Sequence, residues 1–116
     1  MNNFKQLKVW QKGFAIAVQS FKLVETLPKE QKFGLNLQIT KASVSIPSNI
    51  AEGSSCSSIK DYHHFLEISL GSSYELETQL LISEAVKYGD QSILNQMLRD
   101  IDEEQKMLIA FMNKIR

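Results

Sequence analysis

His63 and His64 stand side by side, and Glu67 follows three residues after His64. Imidazole and carboxylate at i and i+3 share a helix face, as in the di-metal sites of carboxylate-rich bundles. Those sites need Glu-x-x-His on two helices together with further glutamates. Here the order is reversed and the pair occurs once. The two histidines also point about 100° apart on a helix, so they do not converge on one ion. Cys56 lies in Gly53-Ser54-Ser55-Cys56-Ser57-Ser58 with no base beside it in sequence. A nucleophilic thiol needs a partner that stabilises its thiolate, so Cys56 reads as incidental. Glu75 as a general acid lacks an identifiable second acid or nucleophile. No phosphate loop, dinucleotide fingerprint or nucleophile elbow is present. The residues therefore nominate no catalytic group, no metal site and no cofactor, and the expectation is a protein that is not an enzyme.

Binding chemistry is better represented. Phe4, Trp10 and Phe14 lie among Lys5, Lys8 and Lys12, the composition of a stacking platform for single-stranded bases. Trp10 and Phe14 also fall on an apolar helical stripe, and core packing is the favoured reading. The chain has 13 basic and 13 acidic residues, a net charge of zero, which removes any simple argument from a strong positive field. The total hides an asymmetry. Residues 1–53 carry seven lysines against three glutamates, a net of +4, and the remainder carries −4. A nucleic-acid interface, if present, would use Lys5, Lys8, Lys12, Lys22, Lys29, Lys32 and Lys41. The same asymmetry also fits solvated faces within one chain, or basic-to-acidic contact between subunits.

The elements that position these groups are helical throughout. The 116 residues, 43% hydrophobic, suit one domain spanning 1–116, and two prolines with five glycines are too few for an all-β chain. Leu7, Trp10, Phe14, Ala17, Phe21 and Val24 recur at 3 and 4, predicting a first helix over about 5–26 that Pro28 ends. Leu35, Ile39, Ala42, Ile46, Asn49 and Gly53 predict a second helix from Leu35 to Gly53, kinked at Pro47. Gly53 suits a left-handed helix end and Ser58 an N-cap. The third helix, about Ile59 to Tyr88, carries one stripe of Tyr62, Phe65, Ser69, Leu76, Leu80 and Ser83. A second stripe joins Ile59, Leu66, Leu70, Leu81 and Tyr88. Gly89 ends this helix, and Asp90 or Ser92 caps the fourth. The fourth helix has the stripe Leu94, Leu98, Ile101, Gln105, Leu108, Met112 and Ile115, flanked by Ile93, Met97 and Phe111. The expected fold is all-α: an up-down-up-down antiparallel four-helix bundle.

Two apolar faces on the third and fourth helices exceed what one core needs, so a homo-oligomer is expected. Gln38, Asn49, Glu75 and Gln79 fall at or beside inward positions and predict a polar network between the second and third helices. No membrane span or signal peptide is expected, and the lone cysteine suits a reducing, cytoplasmic compartment.

Ser45-Ile46-Pro47-Ser48-Asn49-Ile50-Ala51-Glu52-Gly53 resembles the signature of the bacterial 23S rRNA intervening-sequence proteins. Leu7-Lys8-Val9-Trp10-Gln11-Lys12, Leu27-Pro28-Lys29-Glu30 and Glu75-Leu76-Glu77-Thr78-Gln79-Leu80 resemble flanking parts of that family. The resemblance implies a four-helix bundle in homopentameric rings, with Ser45, Pro47, Asn49, Glu52, Gly53 and Glu75 as motif positions. It implies no catalytic residues. It suggests an accessory protein that binds RNA or DNA, the alternative being a structural adaptor oligomer that binds another protein. The family often places arginines before the Ser-Ile-Pro run and after the Glu-Gly pair. Here Thr40-Lys41 and Ser54-Ser55-Cys56 stand instead, which weakens the nucleic-acid expectation.

Overall fold

The computed structural model describes residues 3–116, and among them there are helices and turns but no strands. A single 3-10 turn, Phe4–Gln6, precedes the first helix, α1 (Lys8–Val24). A second 3-10 turn, Lys29–Gln31, leads into α2 (Leu35–Ser54). Two long helices follow, α3 (Ile59–Ala85) and α4 (Gln91–Lys114). The 27 residues of α3 span about 40 Å at 1.5 Å each, close to the molecule's longest extent of 43 Å. No helix among the described residues is long and apolar enough to cross a membrane.

The helices pack in cyclic order, α1 on α2, α2 on α3, α3 on α4 and α4 on α1, and the backbones of diagonal pairs stay apart. Residue numbers run oppositely along each neighbouring pair. Ser20 meets Ser43, and Gly13 faces Ile46. Ser45 meets Ser72, and Gly53 faces Tyr62. Tyr62 packs edge-on against Phe111, and Gln105 bonds Glu77. Lys12 meets Asp100, and Thr26 meets Asp90. Each helix is thus antiparallel to both neighbours. The chain stays helical on both sides of Pro47, whose missing N–H leaves the Ser43 carbonyl without its usual donor.

Local chemistry sets the ends. Ser58 Oγ accepts the Asp61 amide at 3.1 Å, and Asp90 Oδ1 accepts the Ser92 and Ile93 amides at 2.9 and 3.1 Å. Both are the expected N-caps. Gly89 turns at φ +85°, and a Cβ there would lie 2.7 Å from Leu27 Cδ1. Gly89→Ala should therefore lower stability by about 1–2 kcal/mol, from left-handed backbone strain plus contact with Leu27. Chemical denaturation of the variant checks this. Lys87, at φ 62°, shares the same turn, so α3 stops at Ala85, short of the expected Tyr88.

The core departs from the sequence reading in three places. On α1, Val9, Ile16, Ser20 and Leu23 are buried, whereas Phe14 and Phe21 of the expected stripe are 50% and 53% exposed. The inner face of α1 carries Gly13 and Ser20, which let α2 approach closely, and the bulky aromatics turn outward. On α3, Leu66 of the expected second face joins the core, whereas Ile59 and Leu81 of that face stay exposed, as a face outside the single core should. On α4 the buried line is Leu94, Met97, Ile101, Glu104 and Leu108, and Leu98 moves to its flank.

Candidate functional site

The nine-residue run Ser45–Gly53 occupies the C-terminal half of α2, and its members act mostly on the packing of neighbouring helices. Ser45 Oγ and Ser72 Oγ share a hydrogen bond at 2.7 Å, and Ser69 Oγ donates to the Ile46 carbonyl at 2.9 Å. Asn49 Nδ2 donates to the Ser45 carbonyl and to Ser45 Oγ, at 2.8 and 2.9 Å. Small hydroxyls bonded directly across the seam let α2 and α3 lie close without burying an unpaired dipole. The polar network between these helices thus runs through serines. Of the residues expected to form it, Gln38 and Glu75 are exposed, Asn49 is half-buried, and Gln79 is buried with its Oε1 unpartnered among the described residues. Gln38 and Glu75 reach solvent at the edge of the seam, whereas Gln79 stays buried within it.

Gly53 is helical, not a left-handed helix end. A Cβ on it would stand 3.0 Å from both Phe65 Cβ and Tyr62 Cδ1. Glu52 next to it is exposed. Pro47 is buried and faces Gly13 of α1, where an added Cβ would meet Glu104 Oε2 at 2.8 Å and Ile46 Cγ2 at 3.1 Å.

Glu104 is the residue that sequence reasoning missed. Its exposure is 0%, and neither carboxyl oxygen has a hydrogen-bond partner among the described residues. Burial pushes its carboxyl up to about 8, against a smaller opposing pull from Lys12. At neutral pH it is mostly the uncharged acid. Lys12 is occupied elsewhere, bridging Asp100 at 3.1 Å and Glu103 at 2.6 Å. The hydrogen bond to Glu103 leads in raising its ammonium above the ordinary value, with burial opposing. Glu104 was legible in principle, because Leu94, Met97, Ile101, Glu104 and Leu108 repeat at 3 and 4.

The seven candidate lysines do not form one patch. Lys12 is consumed by the α1–α4 ion pairs. Lys5 and Lys8 are exposed at the start of α1, with Lys5 Nζ 6.0 Å from the Phe4 ring centre. Lys22, Lys29, Lys32 and Lys41 are exposed around the α1–α2 connection. There Phe33 is 84% exposed, and Lys32 Nζ stands 5.4 Å from its ring centre.

The aromatics of α1 form neither a full core stripe nor a lysine-flanked platform. Trp10 packs edge-on with Phe4 at 5.2 Å and stacks on Phe14 at 5.1 Å. Trp10, Phe14, Val18 and Phe21 continue with Val44 and Pro47 of α2 into an apolar groove of about 360 Å³. The groove follows the α1/α2 seam, whereas Lys12 reaches toward α4.

His64 lies edge-on to Phe65, and no group of three or more His, Cys, Asp or Glu side chains is poised for a metal among the described residues. Cys56 is half-buried, its thiol 3.7 Å from the Glu52 carbonyl.

The comparisons with known proteins agree with this geometry. A crystal structure of a protein of unknown function from the S23 ribosomal protein family of Bacteroides thetaiotaomicron superposes with a TM-score of 0.82 at 30% identity. The match covers 90% of this chain and 97% of that one. No curated protein matches. The pattern described as 23S rRNA-intervening sequence protein matches residues 5–110, a span that takes in the α2 run, the α3 serines and Glu104. On that span, this chain belongs to the 23S rRNA-intervening sequence protein family.

Proposed function

We propose that this protein is a non-enzymatic, self-assembling helical bundle whose assembly binds RNA or DNA through the basic α1/α2 half. The observation that carries the reading is the solvent-facing strip of Phe14, Val18, Phe21 and Val44. Each of these is large, apolar and more than a third exposed, and they lie together along one groove. Contiguous apolar surface of this kind marks an interaction site.

The nucleic-acid part rests on the α1–α2 connection and on the family's name. Phe33 offers a ring for base stacking, and Lys22, Lys29, Lys32 and Lys41 supply cations for phosphate. One copy presents few charges, but an assembly repeats them, and linked weak sites gain affinity through high effective concentration.

Light scattering during size exclusion, with and without nuclease, tests the assembly and its cargo together. The expected result is a mass several times the 13.2 kDa chain, with nuclease-sensitive material attached before treatment. Binding of single-stranded RNA or DNA should fall steeply with salt, by a slope of about 0.7 per phosphate neutralised. The double variant K29E/K32E should bind single-stranded RNA or DNA more weakly at low salt, with its assembled mass unchanged. Absence of retardation of RNA or DNA at low salt overturns the nucleic-acid reading. A stoichiometric protein partner that survives nuclease would favour the adaptor reading instead.

A further inference from the structure

Most of the long polar side chains that the sequence pattern places between α2 and α3 line one cleft. It measures about 350 Å³ and runs along the α2/α3 seam. The antiparallel register lays out its layers. Ser45 meets Ser72, and steps of three or four residues along each helix then bring Lys41 level with Glu75 and Gln38 level with Gln79. Ala42 supplies a small floor in the middle.

Each layer keeps hydrogen-bonding or charge capacity to spare. Gln79 is only 7% exposed, and its Oε1 has no partner among the described residues. A buried polar atom left without a partner is rare in folded proteins and calls for a reason. Ser45 Oγ accepts from Asn49 Nδ2 at 2.9 Å and shares a single hydrogen bond with Ser72 Oγ. Two hydroxyls carry two protons and that bond uses one, so the other is available to an acceptor in the cleft. Between these layers stand Lys41 and Glu75, both exposed, and neither has an ion-pair partner among the described residues.

The lining selects a ligand by charge. A lone anion would meet Glu75 and a lone cation would meet Lys41, so the complement carries both signs. A nucleobase would find no ring to stack on, since no aromatic lines the cleft among the described residues. The volume falls in the range of small-molecule sites. We infer that this cleft is a binding site for a free α-amino acid with a polar side chain. The ligand's ammonium donates to the Glu75 carboxylate. Its carboxylate accepts from Lys41 Nζ and from the spare serine proton. Its side chain runs along the seam toward Gln38 and Gln79, where a carboxamide meets amides of its own kind. The site stands apart from the nucleic-acid reading, with which it shares only Lys41.

Ligand-observed saturation-transfer NMR on the full chain tests this with L-glutamine as the probe. The expected result is a saturable signal at millimolar ligand. N-acetyl-L-glutamine lacks the ammonium and L-glutamine methyl ester lacks the carboxylate, and each should bind about tenfold or more weaker. Lys41→Met and Glu75→Gln should weaken L-glutamine to a similar degree, with helical circular dichroism retained. Gln79→Leu should also lose binding without a lower melting temperature, because the amide it removes makes no bond through Oε1. Absence of a saturable L-glutamine signal overturns the assignment. So does undiminished binding of L-glutamine by Glu75→Gln, or of the acetylated or esterified probe by the unmodified chain. Loss of single-stranded RNA binding in Lys41→Met, with no L-glutamine signal in the unmodified chain, would give Lys41 to phosphate and overturn the amino-acid site.

Discussion

Glu104→Met should raise stability at pH 8.5 by about 3–4 kcal/mol more than it does at pH 4.5. The reason is the buried, unpartnered carboxyl facing Gly13. In the unfolded chain this acid titrates at its ordinary value of 4.5, and in the folded chain at about 8. Below 4.5 it is protonated in both states and imposes no ionisation penalty. As pH rises from 4.5 toward 8, the unfolded chain releases the proton while the folded chain must hold it, so stability falls. Above 8 both states are ionised and the loss levels off. At 1.36 kcal/mol per unit the full span amounts to about 4–5 kcal/mol, reduced by whatever relaxation or water entry the core allows. Methionine keeps comparable volume without the proton. Glu104→Gln should remove the same pH slope while keeping an unpaired amide, and so gain less. The measurement is denaturant unfolding at a fixed chain concentration, at pH 4.5, 7 and 8.5, because assembly would couple stability to concentration. Parallel pH curves for the unmodified chain and Glu104→Met would refute the assignment.

The helical fold was plain in the sequence because the spacing of apolar residues states it directly, and Pro28, Ser58, Gly89 and Asp90 punctuate it by local chemistry alone. Which face turns inward was less plain. α1 has apolar residues on two faces, and hydrophobicity weights Trp10, Phe14 and Phe21 above Gly13 and Ser20. Packing distance decides otherwise. α2 approaches where α1 is small, with Ser20 Oγ only 2.5 Å from Ser43 Oγ. Periodicity carries no information about how closely two helices approach, so it cannot rank a small face against a bulky one. Glu104 escaped for a related reason. A charged residue at an inward heptad position looks like a register error until the opposing glycine is known. The lysines were visible as a set, but only the fold shows that Lys12 is spent on Asp100 and Glu103 while Lys29 and Lys32 flank an exposed Phe33.

Gly53→Val should destabilise the bundle by about 2–3 kcal/mol, whereas the same change at Gly13 should be rescued in part by shortening Glu104. Both glycines are helical and both are tight, but the atoms they meet differ in kind. At Gly13 the closest obstacle is the tip of the Glu104 side chain, 2.8 Å from the added Cβ. Removing that tip with Glu104→Ala opens the space, so Gly13→Val and Glu104→Ala should be coupled in a double-mutant cycle by about 1 kcal/mol or more. At Gly53 the obstacles are Phe65 Cβ and Tyr62 Cδ1, both at 3.0 Å. A Cβ cannot move without its backbone, so no rotamer change relieves the contact, and α3 must shift away from α2. That shift would lengthen the Ser45–Ser72 and Ser69–Ile46 hydrogen bonds one to two turns away, adding their loss to the steric cost. The glycine at the end of the run is then explained by contact geometry. The glycine fixes the α2–α3 distance, and the serines upstream are paired only at that distance. Unfolding midpoints for Gly53→Val, Gly53→Ala and Ser72→Ala check the chain of cause. Alanine at 53 should cost less than valine, because its added Cβ is partly offset by about 1 kcal/mol of helix propensity over glycine. If Gly53→Val were as stable as the unmodified chain, the close approach would not be what this position serves.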